Sequence, residues 1–178
     1  MTTQLCILTC RNFHREVSAW IADQGLTDVV VQPFGAACLR PTADVARLRA
    51  AVREHLQAGD HVALFGGRCL ADMADLADGE RTYLCTAATC AELAAGRDLV
   101  AAHSAASGYV TTPGWLTTWE EVVAQGGLDR PAVRELLGPE VQRIVLFDTG
   151  VYEESAQRLA SFADFCGLNA ERVPVGLD

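Results

Sequence analysis

Residues 143–166 read RIVLFDTGVYEESAQRLASFADFC. Ile144 to Phe147 form an unbroken apolar run of strand length, without the alternation of a strand that has one wet face; such runs belong to strands covered on both sides. Asp148-Thr149-Gly150 turns the chain. From Tyr152 to Cys166 apolar side chains recur at helical spacing, among them Leu159, Phe162 and Cys166, and Gly167 supplies a helix stop. A short extended run at 172–175 follows, so the segment reads as strand, helix, strand.

The same unit recurs upstream. Residues 4–9 (QLCILT) form a buried strand, and 11–24 carry Phe13, Val17, Trp20 and Ile21 near helical spacing. Residues 28–32 (DVVVQ) are short and β-branched; 42–57 then place Val45, Leu48, Val52 and Leu56 on one stripe behind a capping Thr42. Residues 61–65 (HVALF) make a strand that Gly66-Gly67 breaks, with a short helix over 69–76, a strand at 82–85 (TYLC) and a helix over 91–95. Beyond these come an extended run at 108–111 (GYVT), a helix over 116–125 despite its threonines, and another over 131–137. Repeated strand–helix alternation with non-alternating strands predicts an α/β fold: a mostly parallel, doubly wound sheet with helices on both faces, because right-handed crossovers put them there. No linker of biased composition divides the 178 residues, so a single α/β domain over 1–178 is the expectation, and a two-lobed arrangement would divide near 108–127.

Composition excludes several classes. The formal net charge is −9, and the 14 Lys and Arg residues are scattered singly, which argues against nucleic-acid binding. No apolar stretch approaches the roughly 20 residues of a membrane span. The opening MTTQLCILTC lacks the basic region of a secretory signal, so the expectation is a cytoplasmic, reducing setting in which seven cysteines are thiols or ligands and not disulfides. A homodimer is the base-rate assembly.

Three of those cysteines stand where a strand gives way to a helix. Cys10 ends the first strand, Cys69 follows the Gly66-Gly67-Arg68 loop, and Cys90 closes the loop that begins at Cys85. In an open parallel sheet such positions converge on one rim, and ligands bind in the crevice outside the carboxyl ends of strands. Helix N-termini favour the thiolate, the form that ligates metal. Cys10, Cys69 and Cys90 therefore read as a set of three metal donors for an iron–sulfur cluster or zinc, leaving one coordination position open. A closed site would need a fourth donor, for which Cys85, His14 and Asp148 are the candidates. Without metal, Cys10 or Cys90 could act as a nucleophile, with His14 one helical turn from Cys10. A non-catalytic, cofactor-binding module is the third class.

Other residues carry weaker arguments. Gly66, Gly67 and Arg68 could wrap an anion, but the segment lacks both GxxxxGK[ST] and GxGxxG, and glycine pairs after strands are commonly tight turns. Asp148 and Thr149 could bring a carboxylate and a hydroxyl to the crevice, or simply cap the following helix. Trp115 reads as packing beneath the Pro113-Gly114 turn. Cys6, Cys85 and Cys166 read as small apolar filler, and Cys38 has no readable place. His55, His61 and His103 appear singly.

Taken together, Leu8-Thr9-Cys10, the glycine loop ending in Cys69, the loop ending in Cys90, Thr112-Pro113-Gly114-Trp115 and Phe147-Asp148-Thr149-Gly150 resemble the family catalogued as domain of unknown function 1638, across nearly the whole chain. The chain departs from that pattern at Leu70, where glycine is expected, and at Thr89, where His or Asp is expected. The resemblance implies an α/β protein with three recurring cysteines. Some members resemble companions of corrinoid-dependent methyltransferase systems, which implies a metal-linked supporting role. The expected function is a metal centre on Cys10, Cys69 and Cys90, a 4Fe-4S cluster with zinc as the alternative. Its open position would serve a small ligand, or electron or sulfur transfer.

Overall fold

A computed structural model describes residues 4–35 and 41–177. Cys38 and the side chain of Thr42 lie outside the described residues. The chain forms two compact units, divided after Leu93 and thus ahead of the 108–127 stretch. The α/β class holds, and each strand pairing is parallel. The strands are shared between two sheets.

In the first unit the elements run β1 (Leu5–Cys10), α1 (His14–Asp23), β2 (Val29–Phe34), α2 (Pro41–Ala58), β3 (His61–Gly66), a 3₁₀ segment Arg68–Leu76, β4 (Thr82–Thr86) and α3 (Cys90–Ala95). The sheet order is β2-β1-β3-β4. One face carries Cys6, Leu8, Val62 and Leu64, buried under Leu48 and Val52 of α2 and under Leu70 and Met73 of the 3₁₀ segment. Phe65 points to the other face, where its ring lies 5.6 Å from that of Phe13 at the start of α1. Helical cover on both faces is what forces apolar residues at successive positions of β1.

The second unit runs α4 (Arg97–Ala105), β5 (Gly108–Thr111), α5 (Pro113–Leu116), α6 (Trp119–Gln125), α7 (Arg130–Leu137), β6 (Arg143–Asp148), α8 (Ser155–Cys166) and β7 (Asn169–Pro174). Its sheet order is β5-β6-β7. Central β6 explains the deciding stretch: Ile144 and Leu146 pack into one core with Leu116, Trp119, Val133, Leu159 and Phe162. Phe147 faces the opposite side, 5.4 Å edge-on from the ring of His103 on α4.

Three local expectations change. Helix α4 gives no apolar stripe in sequence because Val100 is its one buried large residue; its alanines carry helix propensity without periodicity. The single helix expected over 116–125 is two. The Thr117 and Thr118 hydroxyls donate to the carbonyls of Gly114 (2.7 Å) and Trp115 (3.1 Å), an alternative to helix continuation. The helix expected from Tyr152 starts at Ser155, and Gly167 ends it in the left-handed region at φ 65°. Trp115 packs as expected, 5.0 Å from the Phe162 ring.

Phe162 is 2% exposed and also meets Trp119 at 5.3 Å, so it anchors the second unit. Phe162→Ala is expected to destabilise that unit by about 3–5 kcal/mol through lost burial and an unfilled cavity, measured by urea unfolding followed through tryptophan fluorescence.

Candidate functional site

Strand order in the first sheet reverses between β1 and β3. From β1 the connection through α1 leads outward to β2, and the next, through α2, returns across β1 to β3. The crossovers therefore diverge above the carboxyl ends of β1 and β3, the place where open α/β sheets leave a crevice. Cys10 is the last residue of β1, and Cys69 sits in the first turn after β3. Cys90 opens α3, just after the neighbouring strand β4. The topology thus brings the ends of three adjacent strands, each with its cysteine, to one rim.

Two of the sulfurs are neighbours, the Cys10 thiol standing within hydrogen-bonding reach of Cys69 Sγ. Register explains this. Thr9 pairs with Phe65, so Cys10 and Gly66 are the next positions up the ladder. A Cβ on Gly66 would lie 3.4 Å from Cys69 Sγ and 3.0 Å from Leu70 Cδ1, so the absent side chain leaves room for the cysteine. Gly67 does the same toward the third cysteine: a Cβ there would stand 3.1 Å from the Cys90 nitrogen and 3.4 Å from its Sγ. Neither glycine has positive φ; both serve close approach.

Backbone donors finish the arrangement. The amides of Gly67 and Cys69 donate to Cys69 Sγ, and that of Asn12 to Cys10 Sγ. Cys69 is drawn down to about 7, first by accepting the Cys10 hydrogen bond and then by the two amides, against the opposing effect of burial. The Cys10 thiol moves the other way. Donation to Cys69 is the main cause, burial and the negative charge of Cys90 and Cys69 add to it, and the Asn12 amide opposes it. Cys10 is fully buried, whereas Cys69 and Cys90 are partly accessible. The exposed Arg68 leaves the loop beside them.

Local sequence holds Cys90 in place. Thr89 Oγ1 accepts from the Glu92 amide at 3.1 Å while Glu92 Oε2 accepts from the Ala88 amide at 3.1 Å, a reciprocal clasp of the kind that fixes helix starts. Leu70 is fully buried in the first core. The two positions that depart from the expected family pattern thus have structural work here. Among the described residues, no group of three or more His, Cys, Asp or Glu side chains is disposed to hold a metal ion as it stands.

The fourth-donor candidates each have a local setting of their own. His14 Nδ1 is bonded to the Arg11 carbonyl at 2.7 Å. Cys85 is exposed, correcting its reading as buried filler, and occupies the position of β4 after Leu84, on the opposite face from the first core. Asp148, in the second unit, accepts from the Gly150 amide (2.9 Å), the Ser155 hydroxyl (2.9 Å) and the Arg172 guanidinium. It thus anchors the start of α8 through a side chain rather than through the helix amides. Burial pushes its carboxyl up, but the Gly150 amide, Arg172 and Ser155 outweigh burial and hold it below the usual range. Thr149 is buried beside it.

A further cluster went unread because its members are far apart in sequence. His55 on α2 joins Asp60 Oδ2 through Nδ1 (3.0 Å) and meets both Gln32 Oε1 (3.0 Å) and Cys6 Sγ (3.3 Å) through Nε2. The order Cys–His–Asp is that of a nucleophilic triad, but Cys6 is 1% exposed, inside the first core. Burial, then the charge of Asp60, pushes its thiol up to about 11. It is a clasp at the amino end of the sheet, away from the cysteine rim.

Parallel α/β architecture with a cysteine rim at the point of strand-order reversal defines the class of protein. The profile of the family described as "Protein of unknown function (DUF1638)" matches residues 43–178, and the chain belongs to that family. Cys69 and Cys90 fall inside the matched stretch, whereas Leu8-Thr9-Cys10 precedes it. No curated protein and no solved structure matches the chain.

Two outcomes follow from these charges. Alkylation of Cys69 by iodoacetamide should rise through pH of about 7, and Cys10→Ala should move that midpoint upward; peptide mass spectrometry across a pH series reads both. Because the Asp148 carboxyl is held low, its contribution is in place above the ordinary carboxylate pKa of about 4 and is lost as pH falls through the lower folded value. Asp148→Asn should therefore cost about 1–3 kcal/mol at neutral pH, with the gap from wild type closing in acid.

Proposed function

We propose that the protein holds a metal centre on Cys10, Cys69 and Cys90, a 4Fe-4S cluster in the leading reading and zinc in the alternative. The observation that carries the proposal is the convergence of three cysteines from three adjacent strand ends, with Gly66 and Gly67 making room for the sulfurs. The donor set fits either group chemically: thiolates suit zinc and iron–sulfur iron alike. Backbone amides already donate to two of these sulfurs, as amides do in tuning such centres. Ligation by all three requires the sulfurs to draw closer together than they stand.

In this reading the chain contributes position and charge. Gly67 and Cys69 amides steady one thiolate, the Asn12 amide a second, and the Thr89–Glu92 clasp sets the start of the helix bearing the third. When bound, the group supplies an open Lewis-acidic position or a one-electron couple for a small ligand. The supporting role in corrinoid-dependent methyl transfer implied by the family resemblance is part of this proposal, and cobalamin titration is its probe.

A second reading, a metal-free thiol enzyme, is favoured by one feature: Cys69 is partly accessible and bonded by two amides. That feature moves the nucleophile from Cys10 or Cys90 to Cys69.

Anaerobic purification with iron, sulfide and zinc analysis separates the readings. The metal proposal expects stoichiometric metal, at least tenfold weaker binding on Cys→Ser change at each of Cys10, Cys69 and Cys90, and no loss for Cys85→Ser. Protein that stays colourless and metal-free after reconstitution contradicts it.

A further inference from the structure

The contact between Cys10 and Cys69 carries chemistry of its own. The two thiols are adjacent in space although 58 intervening residues separate them, because β1 and β3 are ladder neighbours and Gly66 leaves Cys69 the space beside Cys10. Their accessibilities differ sharply. Cys10 is 0% exposed under the rim, while Cys69 is partly open to solvent on the first turn of the 3₁₀ segment. A small oxidant arriving from solvent reaches Cys69 and not Cys10, and the register that sets Cys10 beside Gly66, against which Cys69 Sγ packs, leaves the Cys10 thiol close behind any oxidised Cys69 sulfur. A reactive cysteine with such a resolving partner is the arrangement that favours a reversible disulfide over further oxidation.

We propose that Cys69 and Cys10 form a redox-active dithiol that reduces a small hydroperoxide, Cys69 meeting the peroxide and Cys10 resolving it. In the first step the Cys69 sulfur attacks one peroxide oxygen; the S–O bond forms and the O–O bond breaks. The departing oxygen takes the Cys69 proton and leaves as an alcohol, or as water when the oxidant is hydrogen peroxide. In the second step Cys10 sulfur attacks the sulfenic sulfur; the S–S bond forms, the S–O bond breaks, and hydroxide leaves with the Cys10 proton as water. Two thiols are oxidised to one disulfide and the hydroperoxide is reduced by two electrons.

Asn12 and Gly67 have a part in this. Their amides donate to the two sulfurs, that of Asn12 to Cys10 and that of Gly67 to Cys69, and so orient them at the end of β1 and in the turn after β3. Cys90 packs against Gly67, where a Cβ would stand 3.4 Å from its sulfur, and the proposed couple assigns it no step. The inference does not rest on the metal reading, although a disulfide would remove two of the three donors that reading needs.

The test uses the full chain, stripped with a chelator, reduced, and exposed to one equivalent of hydrogen peroxide. Peptide mapping should find a Cys10–Cys69 link, with the other cysteines still alkylatable. Dimedone, which traps sulfenic acid, should label Cys69 at least tenfold more in Cys10→Ala than in wild type. A link through Cys90, unoxidised protein, or equal dimedone labelling of Cys69 with Cys10 intact would overturn the proposal. If Cys10→Ala does not fold, the wild-type link map decides alone. Metal binding is scored on a second, unoxidised portion of the reduced chain reconstituted with iron and sulfide or with zinc: a disulfide in protein that binds no metal sinks only the metal reading, and metal binding without the disulfide sinks only the couple.

Discussion

Hydrogen bonding between β1 and β3, strands that a helix, a strand and another helix separate in sequence, is the constraint on which the rest depends. It places the reversal of strand order directly above Cys10 and the Gly66-Gly67 loop. Had the strands followed sequence order, the end of β1 would have had only β2 beside it, and Cys69 would have lain a strand further away. Because a right-handed crossover fixes which way each connection turns, little freedom remains once β1 and β3 pair. The rim is a consequence of topology, and its cysteines inherit their proximity from it.

Within that frame the glycine pair decides how close the sulfurs come. Side chains at 66 and 67 would stand 3.0–3.4 Å from Leu70, Cys69 and the Cys90 backbone, tight enough that those neighbours would have to give by a few tenths of an ångström. Space, hydrogen bonding and charge then agree. One thiol gives its proton to a contact, its neighbour is eased toward thiolate by that contact and by amides, and the third is held at a helix start by a threonine–glutamate clasp. Metal ligation and dithiol oxidation both draw on this arrangement, and they compete for the same two sulfurs.

Much of the fold was legible in the amino-acid sequence, and the reasons are local. Apolar runs such as Ile144–Phe147 read as covered strands in an α/β chain, and Gly167 ends its helix in the conformation glycine favours. Helix α4 was illegible because alanine carries propensity without pattern. The break between α5 and α6 was hidden because threonine hydroxyls reach back to carbonyls that periodicity does not register. Division into two sheets could not be read either, since strand length and polarity say nothing about which neighbour a strand takes. For the site, the strand-end positions of Cys10, Cys69 and Cys90 were readable, but the thiol–thiol contact and the tilt of charge toward Cys69 were not. Those arise from register and from amide directions. The clasp of Cys6, His55, Gln32 and Asp60 had no signal at all, its members joined only by the packing of α2 on the sheet.

The most direct test of the central claim, that three sulfurs share one rim, needs no knowledge of the natural ligand. Trivalent arsenic takes three thiolates when they converge and fewer when they do not, and native mass spectrometry of the reduced chain counts the hydrogens lost as it binds. The account predicts one arsenic per chain held by Cys10, Cys69 and Cys90, with Cys85 and Cys166 left free to alkylate. Arsenic bound through any other set of thiols, or not retained at all, would contradict it.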